Sequence, residues 1–188
     1  MLFRSTPYLP DYSYTLLDKN DNLFTVGYFG NTVSIGSGTT LTPTPSTLVA
    51  NSYANNSLIA KYSPSGSLLW YIRGNSSAGD AQLSGTTDTS GNYLLVGGVA
   101  WNGASVFNYT VNSNVGNSSN TIFRINAQNG SLLSGITGTR DYQAYIAPVS
   151  TDRDNNFICA GSINGYLTFG SNTYSAIGQP GDHQSCIG

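Results

Sequence analysis

The chain has 188 residues and a formal net charge of −2, and only 9% of its residues are charged, against about 25% in an average soluble domain. It contains no Glu, so nine Asp supply every side-chain carboxylate, and no basic cluster offers the positive footprint that nucleic acid requires. At 39% hydrophobic, with 13 Tyr, 7 Phe and 2 Trp, the chain is too apolar to stay disordered, and no apolar run approaches the ~20 residues of a membrane helix.

Helix formers such as Lys, Met and Gln are scarce, whereas Gly, Asn, Ser and Thr abound. Tyr, Val, Ile, Thr and Phe suit pleated sheets, so the chain reads as nearly all β. Met1 to Ser5 reads as the tail of a strand, and Pro7 to Pro10 as a break. Tyr12 to Leu17 is a short strand that leads into Asp18-Lys19-Asn20-Asp21-Asn22-Leu23-Phe24-Thr25-Val26-Gly27. That stretch recurs as Asp88 to Gly97 and as Asp152 to Gly161, with Asp, Asn and Gly at the same offsets. The Asp accepts hydrogen bonds from backbone groups two residues on and so starts a turn. The fourth residue is Asp21, Gly91 or Asn155, the types that tolerate the left-handed conformation. Leu94-Leu95-Val96 is apolar on both faces, which predicts a strand covered on both sides, and the Gly that follows permits close backbone approach.

Residues 28–56 are rich in Gly, Thr and Pro, with a hairpin expected around Thr32 to Gly36. A second recurring element follows. Ser57 to Tyr62 is a strand, Ser63 to Gly66 a turn, and Ser67 to Ile72 the return. Its copy is Asn120 to Ile125, then Asn126 to Gly130, then Ser131-Leu132-Leu133, with one extra residue in the turn and Arg124 in the place of Lys61. Residues 98–119 form a polar insertion with a strand pair expected in Ala104 to Val111. The third unit runs from Tyr145 through Tyr166-Leu167-Thr168-Phe169-Gly170 to the end.

From Asp18 to Asp88 is 70 residues and from Asp88 to Asp152 is 64. A period of tens of residues with four strands in each marks a propeller or array of sheets. Three repeats are expected, at about 5–61, 62–124 and 125–188. Met1 to Arg4 and Ser185 to Gly188 both align with the strand around Lys61. The expectation is therefore an incomplete or open propeller, a piece of a longer chain cut at one point of the repeat, with an open three-blade arc or a protomer that closes with other chains as the alternatives.

These motifs resemble the SBBP-type β-propeller repeat of secreted bacterial and archaeal proteins and some large DNA viruses. The resemblance rests on Asp88 to Gly97, the Phe-Gly stretch at Tyr166 to Gly170, Ala60-Lys61-Tyr62 and Gly66 to Trp70, and it covers nearly the whole chain. The chain departs from that pattern in its long insertions and in Arg124-Ile125. The resemblance implies an all-β fold of propeller-like blades, each of four antiparallel strands, and points to no particular activity.

Candidate chemistry is sparse. Asp152-x-Asp154-x-Asn156 has the alternate spacing of calcium ligands but lacks the Gly and distal Glu of a calcium loop, so a turn closed by Asp is the expectation and no metal is assigned. The single histidine, His183, reads as a loop residue, because Asp182 and Ser185 are too close in sequence for triad geometry. No pair of Asp stands out as an acid and base, and no cofactor is expected. Cys159 and Cys186 fall on strands that can be neighbours, so a disulfide and two buried thiols are both open. Trp101 and Tyr109, in the insertion, are the candidate ligand-binding aromatics. Five sequons, at Asn55, Asn75, Asn108, Asn117 and Asn129, suit an extracellular or virion-surface glycoprotein. The expected function is a non-enzymatic structural or interaction scaffold that engages protein partners or its own copies. The alternatives are a carbohydrate-binding module using the exposed aromatics, and a non-catalytic part of a larger extracellular enzyme.

Overall fold

A computed structural model describes residues 12–45, 55–74, 82–101, 105–106, 109–110, 118–140, 143–164, 166–169, 171–175 and 184–187. Among them there is no helix, every strand ladder is antiparallel, and no sheet closes on itself. The stretch expected at Met1 to Ser5 lies outside these residues.

The first sheet contains β1 (Tyr12–Leu17), β2 (Leu23–Phe29), β5 (Asn56–Tyr62) and β6 (Leu68–Arg73), hydrogen-bonded in that order. Between its second and third strands the chain detours through a hairpin, β3 (Val33–Gly36) and β4 (Thr39–Leu41). The second sheet repeats the plan with β7 (Gln82–Thr87), β8 (Tyr93–Trp101), β11 (Ser118–Asn126) and β12 (Leu132–Arg140). Its detour is β9 (Ser105–Val106) with β10 (Tyr109–Thr110). The third sheet has β13 (Gln143–Thr151), β14 (Phe157–Asn164) and β17 (Gln184–Ile187), with β15 (Tyr166–Phe169) and β16 (Asn172–Ser175) as its hairpin. That hairpin joins the outer edge of the second sheet through Thr139↔Thr168 and Arg140↔Leu167, which extends the second sheet to six strands. The apparent insertions are thus a regular part of the unit, a hairpin after every second strand. Each sheet opens at the strand before the Asp motif, so it straddles the expected cut at Lys61 or Arg124 while keeping the same period.

The sheets stack face to face. β7 packs on β1 and β2, and β13 packs on β7, β8 and β11. Between the first two sheets lies the main core. Phe24, Val26 and Ile59 from the first meet Leu83, Leu94, Val96, Phe123 and Ile125 from the second. The β3–β4 hairpin folds over the other side of the first sheet, where Val33, Ile35 and Leu41 pack on Phe29 of β2 and Leu58 of β5, and the Tyr62 hydroxyl donates to the Ile35 carbonyl at 3.0 Å. β5 is therefore buried along its whole length.

The three Asp loops look alike in sequence, yet one closes differently. In the first and third, the backbone N–H of Asp18 and Asp152 donates to the carbonyl of Asn22 and Asn156, four residues on. In the second, Asp88 N–H donates to Tyr93, five residues on. Strand pairing then resumes at Leu23, Phe157 and Leu94. The extra loop residue turns the following strand over, because strand side chains alternate in direction. Phe24 is consequently matched in space by Leu95 and Ile158, and Val26 by Gly97 and Ala160, although the sequence sets Val26 on Val96.

Candidate functional site

The densest polar chemistry lies where the Asp loops and the β5–β6 and β11–β12 turns come together at one end of the stack. In the first loop, Asp18 Oδ1 accepts from the backbone N–H of Asn20 at 2.8 Å and of Asn22 at 3.0 Å. The Asn22 side-chain amide donates to both carboxylate oxygens. The third loop repeats this set from Asp154, Asn156 and the Asn156 amide onto Asp152. In the second, Asp88 takes the Tyr93 N–H at 2.8 Å and the Ser90 hydroxyl. The backbone is left-handed at Asp21, Gly91 and Asn155, with φ of 59°, 70° and 64°, which these residue types tolerate.

Lys61 connects this loop to the next sheet. Its Nζ lies 3.2 Å from Asp18 Oδ2, with both side chains buried, and donates to the Ala127 carbonyl of the β11–β12 turn at 2.9 Å. Its ammonium also sits 4.9 Å from the centre of the Phe24 ring. Beside it Trp70 meets Phe24 edge to face at 5.8 Å. The same indole lies 3.0 Å from where a Cβ on Gly130 would stand, at a left-handed φ of 75°. Only glycine lets the turn of the second sheet lie this close to the tryptophan of the first. Arg124, the sequence counterpart of Lys61, is exposed and stacks over the Tyr93 ring at 3.8 Å.

The loops also join one another. Gly91 packs on Lys19 and Asp18 of the first loop. The Thr89 backbone N–H donates to Asn155 Oδ1 at 3.0 Å, and the Thr89 hydroxyl donates to the same oxygen. Deeper in, Thr151 Oγ1 donates to the Thr87 carbonyl at 2.8 Å, and Ser84 Oγ to that of Pro148 at 3.2 Å.

These contacts set the acidity of the carboxyls. Burial pushes Asp18 up, but the Asn22 amide, the Asn22 and Asn20 N–H groups and Lys61 outweigh it and hold the group below the usual carboxylate value. Burial likewise opposes Ser90 and the N–H groups of Tyr93, Asn92 and Ser90 at Asp88, with the same net lowering. At Asp152 the Asn156 amide and the backbone N–H groups lower it, with little burial to oppose them. All three are held as carboxylates by donors of their own loops, and Asp18 by Lys61 as well. Among the described residues, no three of His, Cys, Asp and Glu come together as a metal site. In the Asp152 loop the Asn156 amide turns its nitrogen, a donor, toward the carboxylate.

Of the other expected residues, Asn129 lies in the β11–β12 turn at this end. Trp101 closes β8, its backbone opposite Ser118, and Tyr109 sits in the β9–β10 hairpin opposite Val106; their side chains lie outside the described residues, as do Asn75, Asn108, Asn117 and His183. Asn55 and Asn129 are exposed, and Asn129 Oδ1 accepts from the Ser131 N–H at 3.0 Å. Cys159 is a half-buried free thiol whose pKa burial raises. β14 and β17 are paired as expected, but Cys186 faces Gly161 across the ladder rather than Cys159. The Lys61 link escaped the sequence reading because it joins residues of different sheets. Its one sequence signal was a lysine directly after the apolar run Leu58-Ile59-Ala60.

Comparison with models of known protein families gives no match, and comparison with curated protein sequences gives none at this similarity either.

Proposed function

We propose that the chain is a run of propeller-type blades, of the SBBP-like kind its motifs resemble, and that it serves as a non-enzymatic scaffold on a cell or virion surface. The observation that carries this reading is the use made of the charged groups in the loop cluster. Asp18, Asp88 and Asp152 each accept two or more hydrogen bonds from donors of their own loops, Asp18 is also paired with Lys61, and Lys61 joins two sheets through the Ala127 carbonyl. A carboxylate so held is a poor general acid or base, which needs a pKa near the working pH and a free path to substrate. The same contacts join consecutive sheets, which suits a framework that carries its partner contacts on loops. The exposed sequons at Asn55 and Asn129 fit an extracellular setting.

A glycan array probed with the protein and with Trp101→Ala tests the scaffold reading against a lectin. The scaffold reading expects no saturable glycan binding; tight binding lost in Trp101→Ala overturns it. Expression through a eukaryotic secretory route, followed by intact mass, reads the surface assignment. Glycan added at Asn55 or Asn129 supports it, and a secreted chain bare of glycan at both counts against it.

A further inference from the structure

Asn129 and Gly130 sit in the β11–β12 turn, and they are the one Asn–Gly pair whose residues are both described. Packing imposes the glycine. Its φ is 75°, and a Cβ there would stand 3.0 Å from the Trp70 indole. The contact between the first two sheets therefore sets, directly after an exposed Asn, the residue that least shields its own backbone nitrogen. Asn is chemically labile where that nitrogen can reach its side-chain amide. The turn also prepares the amide. Asn129 Oδ1 accepts the Ser131 N–H at 3.0 Å, and a donor already on that oxygen stabilises the charge it gathers when a nucleophile adds to Cγ. The bond uses Oδ1 and not Nδ2, the atom that must leave. One restraint opposes the reaction. The Gly130 N–H donates to the Asn126 carbonyl at 2.9 Å, and this bond must open first. It is a single bond in an exposed turn, of the kind that opens locally at little cost. The Asn22 and Asn156 amides, by contrast, are held on Asp18 and Asp152, and neither is followed by Gly.

We propose that Asn129 is a site of spontaneous deamidation that loosens the contact between the first two sheets. The Gly130 backbone nitrogen loses its proton to base and bonds to Asn129 Cγ. The Cγ–Nδ2 bond breaks, and Nδ2 leaves as ammonia. Water then opens the cyclic imide. Breaking the new bond at Cγ leaves aspartate, whereas breaking the original peptide bond leaves isoaspartate, whose chain runs through Cβ and Cγ. No step changes an oxidation state. Isoaspartate lengthens the backbone of a turn that lies against Trp70 and whose Ala127 carbonyl takes the Lys61 ammonium. Nδ2 is also the atom an N-linked glycan takes at this sequon, so a glycan on Asn129 blocks the reaction. The inference requires no partner and no surface setting, so it stands apart from the scaffold reading.

The test holds the full chain, made without glycosylation, at mildly alkaline pH, in buffer and in urea. Cleavage after Arg124 and Arg140 then separates Asn129 from Asn102 and Asn164, the other Asn residues followed by Gly. The expected result is the amide-to-acid mass increase at Asn129, slower in native protein than in urea, where the turn is open, but ahead of Asn126 in the same peptide. Asn129→Gln is expected to abolish that increase. The isoaspartate form, separated by ion exchange, is expected to unfold at lower urea than fresh protein. Asn129→Asp supplies the charge without the longer backbone and is expected to unfold with fresh protein. A native peptide that stays unmodified while the urea sample converts overturns the proposal. An isoaspartate form with the urea midpoint of Asn129→Asp overturns the loosening of the sheets.

Discussion

Replacing Lys61 with Met removes one partner of a buried ion pair. Nζ lies 3.2 Å from Asp18 Oδ2, with side-chain exposures of 3% and 0%, and 2.9 Å from the Ala127 carbonyl. Stranding one charge of a buried pair costs about 3–5 kcal/mol. Asp18 keeps its donors from Asn20 and Asn22, which places the loss at the lower end, about 3 kcal/mol. Leaving the Ala127 carbonyl without its donor adds about 1 kcal/mol. For a chain of this size each kcal/mol moves the melting midpoint by about 2–4 °C, so Lys61→Met is expected to melt roughly 10 °C lower. Urea unfolding followed by circular dichroism gives the free energy, and Lys61→Met/Asp18→Asn supplies the control. With both charges gone no ion is stranded, so the double variant is expected to be more stable than Lys61→Met by about 1 kcal/mol or more. A single-variant loss below about 1 kcal/mol, or a double variant whose losses simply add, refutes a stabilising buried pair between Lys61 and Asp18.

Gly97→Ala puts a Cβ 2.9 Å from both the Thr121 carbonyl and Pro148 Cδ. The carbonyl is ladder backbone and cannot yield, so unfolding in urea should show a loss of about 1–3 kcal/mol. Gly91→Ala must hold φ near 70° and should lose about 1–2 kcal/mol, whereas Asp21→Gly, at the equivalent place in the first loop, should change stability by less than about 1 kcal/mol. Asp18, Asp88 and Asp152 all have lowered folded pKa values. Their stabilisation is therefore full above the unfolded carboxyl value, about 3.9, and is lost as pH falls through the lower folded values. A plot of unfolding free energy against pH should drop below about pH 4, and a flat line there contradicts the assignment. Cys159, read in a Cys186→Ser background, should react with a disulfide reagent at pH 8 more slowly when folded than in urea, since burial raises the thiol pKa.

The strands and their turns were legible because local chemistry decides them. Asp at the head of each loop, and Asp21, Gly91, Asn155, Gly66 and Gly130 at its left-handed positions, mark the turns, and each of these residues has positive φ. The apolar run Leu94-Leu95-Val96 announced a strand covered on both faces, and all three are buried. What stayed hidden depends on partners distant in sequence or on loop closure. Asn22 and Asn156 fold back on their Asp, whereas in the second loop the Ser90 hydroxyl takes the matching Asp88 oxygen and Tyr93 is drawn into the loop. Equal spacing therefore conceals a one-residue slip that exchanges the two faces of β8. Two residues far apart in sequence, Lys61 and Ala127, meet only once the sheets stack.

The loop cluster and shared core lock the first two sheets into one unit. Native-state amide exchange in wild-type and Lys61→Met protein reads that coupling strand by strand. If the sheets are locked, amides in β2 and β5 and in β8 and β11 open with the same free energy and lose equal amounts in the variant. Faster exchange confined to β2 and β5, with β8 and β11 unchanged, would contradict it.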